Sequence, residues 1–242
     1  LQLASPGDHA HAAAVTLDHL ALIEKQLGHY TEALRLSLQS LAEHQRLGDS
    51  AGEALCLNNL GSLQLVMREN EAAAEHLKEG LAICERDGLL GTKAFVLTNL
   101  TEAAMRAGDL NAAESYGARA IEVATTTGNR AVTAWGKIKA ARIEVRRGNL
   151  DRARPLLAEG LGTIIAIGLP SLKFDAIECF AEVLAAQGEV SCGRAVLTFA
   201  ADHPTATAAV RSELLEHGSV LPTDSTEIPP WPGLGLDELL QR

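Results

Sequence analysis

Apolar and small residues recur along the chain in columns 40 residues apart. Leu20, Leu60, Leu100, Ala140 and Phe180 share one place in the pattern, and Ile23, Leu63, Ala103, Ile143 and Val183 stand three residues further on. A spacing of three keeps both columns on one helix face. Ala21, Gly61, Thr101, Ala141 and Ala181 form a small-residue column, where a neighbouring helix can approach closely. A second series carries its own small column, Ala33, Ala73, Ala113, Ala153 and Gly193, and an apolar stripe of Leu41, Leu81, Ile121, Leu161 and Ala201. The runs are punctuated at Gly28, Arg68, Gly108, Gly148 and Gly188, and again at Gly48, Gly88, Gly128, Gly168 and Ala208. Glycine takes the positive φ that often ends a helix at little steric cost, so this alternation predicts helices of about 17 residues joined by tight turns. Polar residues such as Asp109 and Asn149 follow the turn glycines and are suited to opening the next helix. Each helix is apolar on one face and cannot stand alone. A fixed period of paired helices therefore predicts a solenoid.

The expected organisation is a lead-in at 1–9 and a helical body over 10–218. Its units fall at about 10–48, 50–88, 91–128, 130–168 and 171–203, with a capping helix at 205–217. The last unit's second helix should stop near Asp202, because His203 precedes Pro204. Pro155 falls in the first turns of its helix, where a missing N–H costs least. The tail, 219–242, contains PTDSTEIPPWPG, too rich in proline for helix, and a closing GLDELLQR able to form a last short one. Its Trp231, Leu236, Leu239 and Leu240 offer an apolar side.

Charge narrows the function. The chain of 242 residues carries a formal charge of −10. That opposes direct nucleic-acid binding by this region, which needs clustered Lys and Arg. The apolar runs are too short to span a bilayer, and no secretory signal is present. Opening on Leu1 rather than Met, the chain reads as a domain cut from something longer. Cys56, Cys84, Cys179 and Cys192 show neither close pairing nor metal-ligand spacing and read as buried free thiols of a reducing cytoplasm. No serine–histidine–acid arrangement, GxSxG or phosphate-binding glycine loop occurs, and His19, His44 and His76 are scattered on helices. No catalytic residue, cofactor or metal is expected.

The pair Leu60-Gly61, the turn glycine with an aromatic two on (Gly28, Tyr30), and the small residues Ala33, Ala73, Ala113 and Ala153 resemble the tetratricopeptide repeat family. The family's aromatic near the start of the first helix is missing, and its proline before the next unit is mostly absent. The period exceeds the roughly 34 residues usual there. GDSAGEALCLNNLG resembles a longer variant common in bacterial signalling and transcription regulators. The stretch from Phe174 to Leu214, followed by Leu221-Pro222 and LDELL, resembles the C-terminal end of large bacterial regulators that place a DNA-binding, cyclase or kinase module and a signalling ATPase upstream. The resemblance implies an all-α fold: a right-handed α-solenoid of five helix pairs with a C-terminal capping helix and tail. It also implies that the first helices line a concave groove.

Phased on Leu60-Gly61, the groove candidates are Asn58, Asn59, Ser62, Asn99, Glu102, Arg106, Lys139, Arg142 and Arg146. Asn59 and Asn99 occupy equivalent places, and an amide that both donates and accepts can hold an extended peptide backbone; bonding to the neighbouring helix is the alternative. Arg142 and Arg146, spaced by four, can clamp a carboxylate or phosphate; a solvated face pairing with Glu102 or Glu144 is the alternative. The expected function is a non-catalytic module that binds a peptide or protein segment, as the sensor arm of a cytoplasmic bacterial regulator. A small-molecule sensor and a self-associating scaffold stand as alternatives.

Overall fold

The structure, a computed structural model, describes residues 6–168, 173–203, 206 and 208–221. Among these residues there is no strand. Eleven helices are described: α1 (Pro6–Leu27), α2 (Tyr30–Leu47), α3 (Ser50–Val66), α4 (Asn70–Asp87), α5 (Leu90–Arg106), α6 (Leu110–Thr126), α7 (Arg130–Arg146), α8 (Leu150–Ile167), α9 (Lys173–Ala186), α10 (Val190–Ala201) and α11 (Ala208–Val220). They fall into two compact units, Leu1–Thr127 and Gly128–Arg242.

In the first unit α1 packs on α2, α3 on α4 and α5 on α6, while α2 meets α3, α4 meets α5, and α3 also touches α5. In the second unit α7 packs on α8 and α9, α8 also on α9, α9 on α10, and α10 on α11. The fold is all-α, built from consecutive packed helix pairs.

The turns form for the reason the glycine spacing indicates. Gly48 has φ 66°, and the N–H groups at this cap return to the Gln45 and His44 carbonyls. Arg68 stands where the other repeats have glycine and still adopts φ 63°. Asp49, Asp109 and Asn129 cap the following helices by accepting the N–H groups of Gly52, Ala112 and Val132.

Small residues bring paired helices together. Ser40 Oγ donates to the Ala14 carbonyl, and the equivalent positions 40 residues on are Gly80 and Ala54. A Cβ added at Gly80 would sit 3.5 Å from the Ala54 carbonyl, so the backbones are in contact across α3 and α4. The same register recurs at Ala134 and Gly160. Around these contacts Leu57, Leu77, Leu97 and Leu100 close one core, while Ile138, Leu157 and Ile164 belong to another.

Three expectations shift. Helix α1 begins at Pro6, ahead of the expected start at Ala10; proline's fixed φ suits the first helical position. Leu20 and Ile23 are exposed, whereas Leu60 and Leu63 of the same columns are buried. Helix α1 has no helix pair before it among the described residues. Helix α11 runs past Gly218 to Val220, because Gly218 lies inside the helix against Leu197. Of the tail expected at 219–242, residues 222–242 lie outside the described residues, as does the stretch 169–172 between the fourth and fifth expected repeats.

Candidate functional site

The two units use the polar residues of their first helices differently. In the first unit the residues are cross-linked at a stagger of one repeat. Asn99 Nδ2 donates to Asn58 Oδ1 at 2.9 Å, and Asn58 Nδ2 reaches Asn59 Oδ1 at 3.5 Å. Arg106 Nε donates to Glu102 Oε1 at 2.8 Å, and its Nη1 donates to the Leu65 carbonyl of α3. Lys25 Nζ donates to Ser62 Oγ at 2.6 Å, joining α1 to α3.

Asn58, Asn99 and Glu102 are buried, and the Asn99–Asn58 bond holds α5 on α3. Asn59, Ser62, Lys25 and Arg106 are half-buried and keep part of their surface toward solvent. Asp18, Leu22, Lys25, Asn59 and Leu63 line a shallow hollow over α1 and α3. Helical phasing finds this row but cannot rank its members by depth. Asn59 and Asn99 are equivalent by period, yet the structure buries only the second.

In the second unit Lys139 and Arg142 are committed internally. Lys139 is buried, donates to Asp175 Oδ1 at 3.1 Å, and sits 5.7 Å from the Trp135 ring centre. Arg142 is 4% exposed. Its Nε and Nη2 meet the two Glu182 oxygens at 3.2 and 2.9 Å, and Nη1 lies 3.6 Å from Glu178. His217 of α11 joins from the far side, with Nε2 3.0 Å from Glu182 and Nδ1 3.8 Å from Glu178. Arg146 is exposed. The two arginines proposed as one clamp therefore lie in different environments. Glu178 and Glu182 read in sequence as a helix-spaced carboxylate pair, but Asp175 and His217, which complete the cluster, carry no mark in the repeat: His217 arrives from a helix two elements later, and periodicity does not register it.

The cluster has a pH dependence. Burial opposes ionisation of Glu182, but Arg142 and His217 overcome it and hold the carboxyl down at about 2. Its contribution is present above the ordinary carboxylate range and is lost as pH falls through that range toward about 2. The hydrogen bond to Glu182 raises His217 above its ordinary value against the cost of burial. Its contribution is complete below about pH 6.5 and is lost as pH rises through the raised value. Hydrogen exchange of the α11 amides is therefore expected to quicken as pH climbs above about 6.5, after correction for intrinsic rates, by at most about 1 kcal/mol of local opening. In His217→Gln the corrected exchange should not change over that range; an identical slope in the variant would exclude His217 as the titrating group.

His44, read in sequence as one of several scattered helical histidines, is instead 1% exposed. Its Nε2 lies 3.1 Å from Asp18 and its Nδ1 2.9 Å from Asp49, which the left-handed turn at Gly48 folds back onto it. His76 Nδ1 meets Gln64 Oε1 at 2.8 Å. All four cysteines are free and buried, and burial pushes the Cys84 and Cys179 thiols up to about 11 and about 12. Thiols so shifted are protonated and poor nucleophiles. No helix among the described residues is long and apolar enough to cross a membrane.

Comparison with known proteins agrees with this architecture. Residues 11–86 match the tetratricopeptide repeat family. The crystal structure of BtubC (BKLC) from P. vanneervenii is similar over 93% of this chain and 89% of that one, with a TM-score of 0.61 and 18% identity. Identity at that level shows a shared fold. No curated protein sequence matches the chain.

Proposed function

We propose that the chain is a non-catalytic interaction module that takes a peptide or protein segment across the first helices of its N-terminal unit. The reading rests on one observation: Lys25, Asn59, Ser62 and Arg106 are half-buried polar residues on α1, α3 and α5, beside the buried Asn99–Asn58 bond that joins α5 to α3. A preorganised row of donors and acceptors meets an extended backbone without first ordering itself, which lowers the entropic cost of binding. The match to a repeat family of interaction modules supports the same reading. The C-terminal unit contributes less, because Lys139 and Arg142 are engaged by Asp175, Glu178 and Glu182. As the arm of a larger cytoplasmic bacterial regulator, such a module would report occupancy to a domain elsewhere in the protein.

Phage display of unstructured peptides against the immobilised chain tests this. Enriched peptides with Kd near 1 μM, about −8 kcal/mol, are expected. Asn59→Ala combined with Ser62→Ala should weaken them about tenfold, or ~1.4 kcal/mol, while the melting temperature falls only slightly for the lost Lys25–Ser62 bond. Asn99 is the wrong residue for this test, since its buried amide serves Asn58. Failure to enrich any sequence, or equal affinity for the double variant, would overturn the assignment.

A further inference from the structure

His11 of α1, His44 of α2 and Asp49 at the start of α3 come together at one end of the N-terminal unit. His44 Nδ1 is 2.9 Å and His11 Nδ1 is 3.2 Å from the same oxygen, Asp49 Oδ2. The three candidate ligand atoms all lie within 4.8 Å of one another. A tetrahedral zinc ion with bonds of about 2.0–2.1 Å separates its ligand atoms by about 3.3–3.4 Å, so small side-chain adjustments would admit one.

Two further features fit a cation there. The first is the carboxylate on each side of the His44 ring, Asp18 at Nε2 and Asp49 at Nδ1. An ion between Nδ1 and Asp49 would take both as ligands. Asp18, itself buried, is then the carboxylate behind the ligand, an arrangement that fixes the ring and raises its basicity. The second feature is Gly52. A Cβ at this position would collide with the His44 ring and with Asp49 Oδ2, so the absence of a side chain there leaves room for the cluster. Asp49 is also held from behind, its other oxygen accepting the Gly52 N–H at 3.0 Å.

We propose that His11, His44 and Asp49 form a site for a divalent transition-metal ion of the zinc class, with Asp18 orienting His44. Two imidazole ligands in three suit zinc, nickel and copper better than the hard cations. Three protein ligands leave a fourth position for water. The ion would tie α1 to the α2–α3 turn, joining the first helix pair to the second.

Tag-free protein is titrated with zinc chloride by calorimetry and with cobalt(II) chloride by visible absorption. One equivalent is expected to bind with Kd in the micromolar range or tighter. At a hundredfold excess over Kd the melting temperature should rise by about 5 °C or more. His11→Gln alters an exposed side chain and should fold normally while weakening zinc at least tenfold; Asp18→Asn should weaken it about 10–100-fold. His9→Gln, two residues earlier on α1, should change nothing. Absence of uptake, equal affinity in His11→Gln, or loss of binding in His9→Gln would overturn the proposal.

Discussion

Replacing Arg142 with Met is expected to destabilise the C-terminal unit by about 3–5 kcal/mol, the cost of removing one partner from a buried charge pair. Arg142 is the cation bonded to both oxygens of Glu182 and close to Glu178, and both carboxylates are largely buried on α9. Without the guanidinium, two carboxylates one helical turn apart face each other with His217 of α11 as a remaining neighbour. Methionine keeps much of the arginine stem's volume, so the loss reports charge rather than a cavity. Denaturant unfolding gives the number. Arg146→Met, one turn along the same helix but exposed, should stay within about 0.5 kcal/mol. Restoring neutrality should recover most of the loss: Arg142→Met with Glu178→Gln and Glu182→Gln removes the unpaired charges together. A loss below about 1 kcal/mol for the single change would mean that water screens the site and that Arg142 is not what offsets the two carboxylates.

That contrast between Arg142 and Arg146 shows where sequence reading stops. Their spacing places both on one helix and near one face, but depth depends on what lies opposite, here α9 and α11. The repeating columns were legible because each turn and each apolar position is specified locally and repeated. Gly48, Gly88, Gly128 and Gly168 adopt the positive φ that their spacing implies, and the helices break beside them. The cross-links between helices were not legible, since Asn99 to Asn58, Arg142 to Glu182 and His44 to Asp18 join residues 26 to 41 positions apart. Nothing local marks those pairs. Asp49 carried a partial signal: a capping residue after a left-handed turn must fold back toward the helix it leaves, and His44 was the residue waiting there.

The small-residue column yields the second large effect. Gly61 lies directly beneath Leu77, so close that a Cβ at position 61 would overlap the Leu77 side chain. One repeat later the sizes are exchanged, with Thr101 beneath Gly117, whose added Cβ would sit at an ordinary 3.5 Å from the threonine methyl. Contact between the paired helices therefore constrains the two positions jointly. Leu77 is fully buried, and Leu77→Ala should cost about 2–5 kcal/mol through lost burial and the cavity left behind. Gly61→Ala alone should destabilise by about 1 kcal/mol, because overpacking of about 1–3 kcal/mol exceeds the helix-propensity gain of about 1 kcal/mol. In the Leu77→Ala background the same change should reverse sign and recover about 1–2 kcal/mol, since the new methyl enters the vacated space and the propensity gain is no longer opposed. Gly117→Ala, where no collision arises, should be neutral or slightly stabilising. Denaturant unfolding of the four members of the cycle measures the coupling. Additive effects within about 0.5 kcal/mol would show that α3 can shift away from α4 at this point, and that the small column does not set the distance between the paired helices.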